Sequence, residues 1–228
     1  MASTFEPDTI LRGTVEDEVL QEVYASDQDM YPAPLTFARL KSWVDGCPDL
    51  SISFRSSMSQ PVGVIIALPI RQPYWDNLLK GTLKETDIDP EVAFPSRSEN
   101  AATTEEVGLH VFHIERFAES GGVRKRGFAQ FAVDEIVQRA SLREGWKVVG
   151  LSALTATPAG KKTFHRLGFF PTGYVEVFIA KESDGADDKQ EVRMVSAYLD
   201  DHQQLPAWLK GVVSHRIISQ SEMTAKYL

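Results

Sequence analysis

The feature that most constrains this chain is a glycine with cationic neighbours at the point where a loop becomes a helix. Arg124, Lys125 and Arg126 precede Gly127, and residues 128–137 have the apolar spacing of an amphipathic helix. The first N–H groups of a helix have no partner within it, and the helix dipole makes that end positive. This junction therefore favours a phosphate group as its ligand.

Two common phosphate-binding loops do not fit this junction. A P-loop needs Lys followed by Ser or Thr after its second glycine, whereas Gly127 is followed by Phe128 and Ala129. A dinucleotide-binding turn needs three closely spaced glycines, and Gly121 and Gly122 do not provide that spacing. Neither class of loop describes this chain.

The pattern that fits residues 124–129 is Arg/Gln-x-x-Gly-x-Gly/Ala, which resembles the acetyl-CoA loop of the GNAT superfamily of N-acetyltransferases. A second match follows a predicted strand at 148–154. Thr157 and Pro158 open a predicted helix as its N-cap and first residue. Residues 164–169 then read Phe-His-Arg-Leu-Gly-Phe, which resembles the Tyr-x-x-x-Gly-Phe signature of the same family. Two signatures in the right order favour this family more strongly than either does alone.

The resemblance implies an α/β (α+β) fold. We expect a mixed, mostly antiparallel seven-stranded sheet, splayed between strands 4 and 5 and flanked by about four helices. One acetyltransferase domain is expected over residues 1–199, with a long loop insertion at 86–104. Residues 200–228 are expected to form a tail that packs on this domain or extends from it.

By the same resemblance, acetyl-CoA binds in the splay beside the fourth predicted strand, residues 106–114. The pantetheine arm contacts unpaired backbone groups there, as an added strand does. The cofactor-binding residues implied are Phe112, His113 and Ile114 for the pantetheine, Arg124, Lys125, Arg126, Gly127, Phe128 and Ala129 for the pyrophosphate, and Thr157 and Phe164 in the second signature.

Acetyl transfer to an amine needs a base that removes a proton from the ammonium. The resemblance places this base on the fourth strand, where His110 and Glu106 share strand parity and so point to one face. His110 is the preferred candidate because imidazole titrates near neutral pH. The alternative is a packed, hydrogen-bonded histidine without a catalytic role. His113 has the opposite parity unless the strand contains a bulge.

The departing thiolate also needs a proton, and here the chain departs from the family. The tyrosine of the second signature usually supplies that proton, and this chain has Phe164 in its place. Water or another hydroxyl, such as Tyr174 or Ser152, then replaces it, or the thiolate leaves unassisted because thiols are moderately acidic.

The acceptor is expected to be a primary amine. A small metabolite or xenobiotic is favoured, because Tyr31, Trp43, Tyr74 and Trp75 could line a closed pocket, although such aromatic residues more often belong to the core. A protein N-terminus or lysine is the second hypothesis. The third is a protein that senses acyl-CoA without catalysis, which the missing tyrosine keeps open.

Composition narrows the partners. A net charge of −8, from 24 basic and 32 acidic residues, disfavours nucleic acid and suits a cationic amine, although it also simply keeps a protein soluble. The single Cys47 excludes an internal disulfide, and the longest apolar run, 62–70, is too short for a membrane helix. The start of the chain lacks a basic segment followed by an apolar one. We therefore expect a cytoplasmic enzyme with no metal, nucleic-acid or membrane partner, and leave a homodimer open.

Overall fold

The computed structural model describes residues 10–30, 35–96, 104–117, 127–180, 192–198 and 217–228. Strands and helices alternate along most of the chain. The strands are β1 (Ile10–Thr14), β2 (Ser51–Ser56), β3 (Pro61–Arg71), β4 (Glu105–Arg116), β5 (Trp146–Thr155), β6 (Phe170–Ala180), β7 (Val192–Tyr198) and β8 (Ile217–Tyr227). The helices are α1 (Asp17–Met30), α2 (Phe37–Gly46), α3 (Gln72–Leu79), α4 (Pro90–Ala93), α5 (Phe128–Ser141) and α6 (Pro158–Arg166), with short 3-10 turns at Pro48–Leu50 and Glu85–Asp87.

The strands form one sheet in the order β1-β2-β3-β4-β5-β8-β6-β7. Only the β4–β5 pair is parallel among the described strands, so the predicted fold class is confirmed. The sheet has eight strands because the C-terminal segment, to which the sequence assigned no element, inserts as β8 between β5 and β6. The described residues also contain six helices rather than about four, because α3 and α4 lie in the long connection from β3 to β4.

The burial of strand β3 shows that the sheet is covered on both faces. Its residues 62–70 are all buried, as in a strand that packs on two sides. On one face Phe128 of α5 packs against Phe54 and lies so close to Gly63 that a Cβ there would be 2.6 Å from its ring. On the other face Trp75 of α3 covers Gly108 of β4.

A bulge in β4 decides where its histidines point. Ile66 faces His113 and Ala67 faces Val111, so Phe112 is the extra residue. His110 faces Leu68, which points to the same side of β3 as Ile66. The bulge therefore places His110 and His113 on the same face, which strict alternation from the sequence does not allow.

Strands β4 and β5 separate after a short paired stretch. Their pairing ends at His110 and Ser152, while β4 continues to Arg116 and β5 to Thr155. Beyond this point the edge of β4 that faces β5 has no strand partner in the described structure. The predicted splay between strands 4 and 5 is present and begins at these two residues.

The first part of the connection predicted as a loop insertion packs against helix α2, since Phe94 and Pro90 lie beside Gly46. Ile88 and Phe94 are buried, and the indole Nε1 of Trp43 donates to the carbonyl of Ile88 at 2.9 Å. The stretch 97–103 of the predicted loop lies outside the described residues. No helix in the described ranges is long and apolar enough to cross a membrane.

Candidate active site

The gap between β4 and β5 opens into a cavity of about 420 Å³, which we call the splay cavity. Its wall consists of residues 111–116 of β4, the end of β5 and the following residues at 153–157, the first two residues of α5, and residues 159, 160, 163 and 164 of α6. Ser26 and Asp27 of α1 and Glu85 of the 3-10 turn complete the wall. This volume falls within the range of small-molecule and cofactor sites.

The structure brings most of the predicted cofactor residues to this cavity. Gly127 stands at the start of α5, directly before two wall residues. Arg124, Lys125 and Arg126 lie outside the described residues. The predicted cofactor residues found in the wall are Phe112, His113, Ile114, Phe128, Ala129, Thr157 and Phe164.

Two helices present their N-termini to the cavity. Gly127, the N-cap of α5, has φ 101° and ψ −13°, a left-handed conformation that favours glycine. Thr157 caps α6, and its hydroxyl oxygen accepts from the backbone N–H of Gly160 at 3.0 Å. The first N–H groups of both helices and the positive ends of both dipoles therefore lie beside the cavity, as an anion requires.

A chain of buried hydrogen bonds lies where the splay begins. The indole Nε1 of Trp75 donates to Oγ of Ser152 at 2.8 Å. The same Oγ lies 2.8 Å from Nδ1 of His110, and Nε2 of His110 lies 2.7 Å from Oε1 of Glu85. An indole N–H can only donate, which leaves the Ser152 hydroxyl proton free to be donated to Nδ1. In the tautomer that fits this arrangement, His110 carries its proton on Nε2 and donates it to the Glu85 carboxylate.

The predicted base, His110, therefore does not reach the cavity directly. Its side chain is 0% exposed and is not part of the wall, whereas Glu85 is part of the wall. Sequence reasoning missed Glu85 because it belongs to no family signature and lies in a 3-10 turn within the long connection. The length of that connection was the only signal that it had a role.

The acidic residues of the wall differ in their ionisation. Burial raises the pKa of Glu85, the bond from His110 opposes this, and the nearby Glu176 carboxylate adds to the rise. Burial, helped by the Glu85 charge, raises the pKa of Asp27 to about 7, and its Oδ2 is buried with no hydrogen-bond partner among the described residues. By contrast, the hydrogen bond from His113 lowers the pKa of Glu115.

The aromatic residues that were predicted to contact the acceptor and that the structure describes do not line the cavity. Trp75 is 1% exposed and lies over Gly108 and Gly150, where the two missing side chains leave room for its ring. Tyr74 packs partly buried against the core and is not part of the wall. Trp43 is likewise buried, in edge contact with Phe112 from behind the wall. Tyr31 lies outside the described residues.

The second base candidate, Glu106, also lies away from the cavity. It stands near the start of β4, its side chain is 42% exposed, and its Oε1 accepts from Nζ of Lys147 at 2.6 Å. The physical reason is that the paired stretch of β4 and β5 separates this position from the splay.

The hydroxyls considered as replacements for the thiolate acid are engaged elsewhere. The hydroxyl of Tyr174 donates to Glu176 at 2.7 Å, contacts Lys84 and is not part of the wall. Oγ of Ser152 is held by Trp75 and His110 in a fully buried position. Neither hydroxyl is presented to the cavity.

This chain is similar to known proteins in structure but not detectably in sequence. No family model and no curated protein matches the sequence. Among solved structures, Arabidopsis thaliana NAA60 in complex with a bisubstrate analogue matches 96% of this chain and 99% of its own at 12% identity, with a TM-score of 0.54. The same protein in complex with acetyl-CoA has the same coverage and identity and a TM-score of 0.51. The NatB acetyltransferase complex bound to CoA and MES matches at 11% identity, the same coverage and a TM-score of 0.50. With its splayed β4 and β5 and this likeness over nearly its whole length, the chain has the fold of the GNAT N-acetyltransferases.

Proposed function

We propose that the protein is an acetyl-CoA-dependent N-acetyltransferase that transfers the acetyl group directly to a primary amine in a ternary complex. The observation that carries this proposal is the splay cavity, which combines an unpaired strand edge with two helix N-termini. Solved structures with this fold hold acetyl-CoA or CoA, as the NAA60 and NatB structures do. Their contents support the choice of cofactor here.

The cavity suits the two ends of that cofactor. The backbone groups of Phe112, His113 and Ile114 border the gap on the side where β5 no longer pairs, so they are available to the amides of the pantetheine arm. The N-terminus of α5, with Gly127 before it, is available to the pyrophosphate. A Cβ at this glycine would hinder a close approach of phosphate to the backbone.

The cavity also suits an acceptor that is cationic in solution. Asp27, Glu85 and Glu115 stand in its wall, and the whole chain carries a net charge of −8. Of the aromatic residues that favoured a small acceptor, the described ones, Trp43, Tyr74 and Trp75, are not in the wall. A screen for the acceptor therefore contains both small amines and peptides with a free N-terminus.

The chemistry is direct aminolysis of a thioester. The ammonium first loses a proton to the carboxylate and imidazole pair of Glu85 and His110. The neutral amine then attacks the thioester carbonyl carbon, so that a C–N bond forms and the C–S bond breaks. The electron pair of the C–S bond leaves on the thiolate, which takes the second proton of the amine nitrogen through solvent. With Phe164 in the wall, the protein supplies no acid at that position.

Calorimetric titration with acetyl-CoA tests the cofactor, with dephospho-CoA and ATP as controls. Ala129→Glu places a carboxylate in the wall at the α5 N-terminus and should weaken acetyl-CoA binding about tenfold or more, equal to about 1.4 kcal/mol. Gln130→Glu, one residue further along and exposed, adds the same charge outside the wall and should leave the affinity unchanged.

Release of free CoA from acetyl-CoA in the presence of the amine screen tests the transfer. Release with at least one amine supports an acetyltransferase. Specific acetyl-CoA binding without CoA release from any amine would instead support the acyl-CoA sensor, and absence of acetyl-CoA binding would contradict both functions.

A further inference from the structure

We infer that the carboxylate of Glu85 is the catalytic base of the splay cavity, and that His110 is a positioning residue that acts through it. This inference rests on the proposed acetyl transfer and names the Glu85 carboxylate as the group that takes the first proton from the ammonium. It places the base outside the sheet, on the connection from β3 to β4, rather than on β4 itself.

The hydrogen bonds of His110 exclude a direct role in proton removal. Both ring nitrogens are engaged, Nδ1 with Ser152 at 2.8 Å and Nε2 with Glu85 at 2.7 Å. The ring is fully buried and stands behind the wall. It therefore has no free lone pair that faces the acceptor. Glu85 does face the cavity, since it belongs to the wall.

The bonds behind Glu85 hold it in a form that can accept a proton. Trp75 donates to Ser152, and the Ser152 hydroxyl can in turn donate to Nδ1 of His110, an arrangement that directs the Nε2 proton at Glu85. An N–H donated to a carboxylate favours its charged form. This bond offsets part of the penalty that burial places on the Glu85 charge. His110 thereby keeps a buried carboxylate ionisable without touching the substrate.

The position of Glu85 along the gap also fits the first step. Its partner His110 is the last β4 residue paired with β5, so Glu85 stands at the closed end of the splay. The N-terminus of α5 lies near the Arg116 end of β4, because Gly63 both faces Arg116 and contacts Phe128. The partners of these two positions on β3, Leu68 and Gly63, are five residues apart. At 3.3 Å per residue, the two ends of the gap are therefore about 17 Å apart. This span suits an extended pantetheine arm with its thioester near Glu85.

The charges around Glu85 come from three neighbouring elements and from its own connection. Glu176 of β6 opposes its ionisation and His110 of β4 favours it, while the Glu85 charge in turn raises the pKa of Asp27 of α1. Lys84, on the same connection, lies with Nζ 3.8 Å from Oε1 of Glu176 and so offsets part of that charge. The resulting rise in the pKa of Glu85 makes it a stronger base than a carboxylate in water.

The other carboxylate and imidazole pair of the wall is the natural rival. His113 lies with Nε2 3.2 Å from Oε2 of Glu115, and both residues are in the wall. The side chain of Glu115 is 39% exposed and its pKa is lowered, so it is a weaker base. It also lies five residues further along β4 than His110, nearer the α5 end. This pair provides a matched control.

One N–H bond of the ammonium breaks, its proton bonds to a Glu85 oxygen, and the nitrogen keeps the electron pair. That pair forms the C–N bond to the thioester carbonyl, and the C–S bond breaks as the thiolate leaves and takes the second proton of the nitrogen through solvent. The proton on Glu85 passes to solvent after the amide has departed.

The test compares two amines of similar size that differ in charge. At pH 7.5 ethylamine is an ammonium ion, whereas 2,2,2-trifluoroethylamine is already neutral and needs no base to become a nucleophile. Glu85→Gln should lower kcat/KM for ethylamine by about 100-fold, a typical contribution of general base catalysis, and change it less than about threefold for trifluoroethylamine. Glu115→Gln should change both amines by the same factor. Calorimetry with acetyl-CoA confirms that each variant is folded.

Equal losses for both amines in Glu85→Gln, or a selective loss in Glu115→Gln, would overturn the inference while leaving the proposed function intact. Wild-type protein that releases no CoA with any amine would overturn both. If Glu85→Gln fails to fold, Glu85→Asp serves in its place. Aspartate keeps the carboxylate, but its shorter side chain moves that carboxylate away from the acceptor by the length of one methylene group. Its loss should again be larger for ethylamine than for trifluoroethylamine.

Discussion

The carboxylate of Glu85 lies 2.7 Å from Nε2 of His110, although the two residues are 25 positions apart and only His110 belongs to the sheet. The long connection from β3 to β4 therefore contributes to the site and is not a surface addition. Its 3-10 turn holds Glu85 in the cavity wall, with Ile88 buried three residues later. The site is assembled from an inserted segment and from the point where the sheet splays.

The hydrogen bond between Trp75 and Ser152 should stabilise the fold measurably. Ser152→Ala leaves the Trp75 N–H buried without this acceptor, and a buried unpaired donor costs about 1 to 3 kcal/mol. The free energy of unfolding, measured with urea, should fall by that amount. Ser141→Ala removes an exposed hydroxyl from α5 and should cost less than about 0.5 kcal/mol.

A double-mutant cycle separates this bond from the lost packing. Trp75→Phe removes the N–H and some ring volume, so it destabilises by itself. The double variant should lose about 1 kcal/mol less than the sum of the single losses, because the unpaired donor is gone. Strict additivity would show that the 2.8 Å contact contributes nothing to stability.

Asp27 should make the stability of the protein depend on pH. Its pKa is about 7 in the fold, against 3.8 for an ordinary aspartate, so the folded state keeps a proton that the unfolded state loses between these values. Stability is therefore lost as the pH rises from about 4 to about 7, and stays lower above that range. The full shift corresponds to about 4 kcal/mol, and we expect about half of it because the side chain is partly exposed.

Asp27→Asn removes this penalty without changing the shape of the side chain. The variant should be about 2 kcal/mol more stable than the wild type at pH 8 and no more stable at pH 3.5, as measured by urea unfolding at both values. Asp134→Asn, an exposed change on α5, should show no such dependence. An equal gain at both pH values would show that the carboxyl group is not the cause.

The sequence predicted the parts of this structure that depend on short, local patterns. Gly127 and Thr157 were predicted at helix starts from residue type together with the apolar spacing and the proline that follow them. Both stand there in the structure because the left-handed backbone of a glycine and the N-cap bond of a threonine depend only on nearby residues. The strand that carries Phe112 was also placed correctly, because a short run of β-favouring residues is a local pattern too. These local features locate the end of the cavity at the start of α5.

The opposite end of the cavity, at Glu85, could not be predicted in the same way. Glu85 meets His110 only through tertiary packing, and no pattern within the chain links the two residues. The bulge at Phe112 moves His113 to the face of His110, and only the pairing with β3 reveals it. Trp75 was predicted to line a pocket, but its ring packs over Gly108 and Gly150. This contact joins three separate elements, α3, β4 and β5, so no local pattern reveals it.

The fit of Trp75 over β4 leaves no space for a side chain at Gly108. A Cβ built there would lie 2.2 Å from the indole ring, so the ring or the strand must move. Gly108→Ala should lower the free energy of unfolding by about 1 to 3 kcal/mol, the usual cost of overpacking a core. Gly13→Ala is the control, because a Cβ at that position meets nothing within 4 Å. A Gly108 variant as stable as the Gly13 variant would mean that the ring moves freely.

Phe164 is the position where a single hydroxyl should restore the missing acid. It lies in the cavity wall and is 5% exposed. Its ring packs edge-on against that of Phe169, with the two ring centroids 4.9 Å apart. Phe164→Tyr should raise kcat for ethylamine about threefold to tenfold at neutral pH, because a phenol with a pKa near 10 can protonate the leaving thiolate. The increase is smaller than general acids usually provide, since a thiolate already leaves readily. Phe169→Tyr, which adds the same hydroxyl at a buried position outside the wall, should give no increase. An unchanged kcat in Phe164→Tyr would show that departure of the thiolate does not limit turnover.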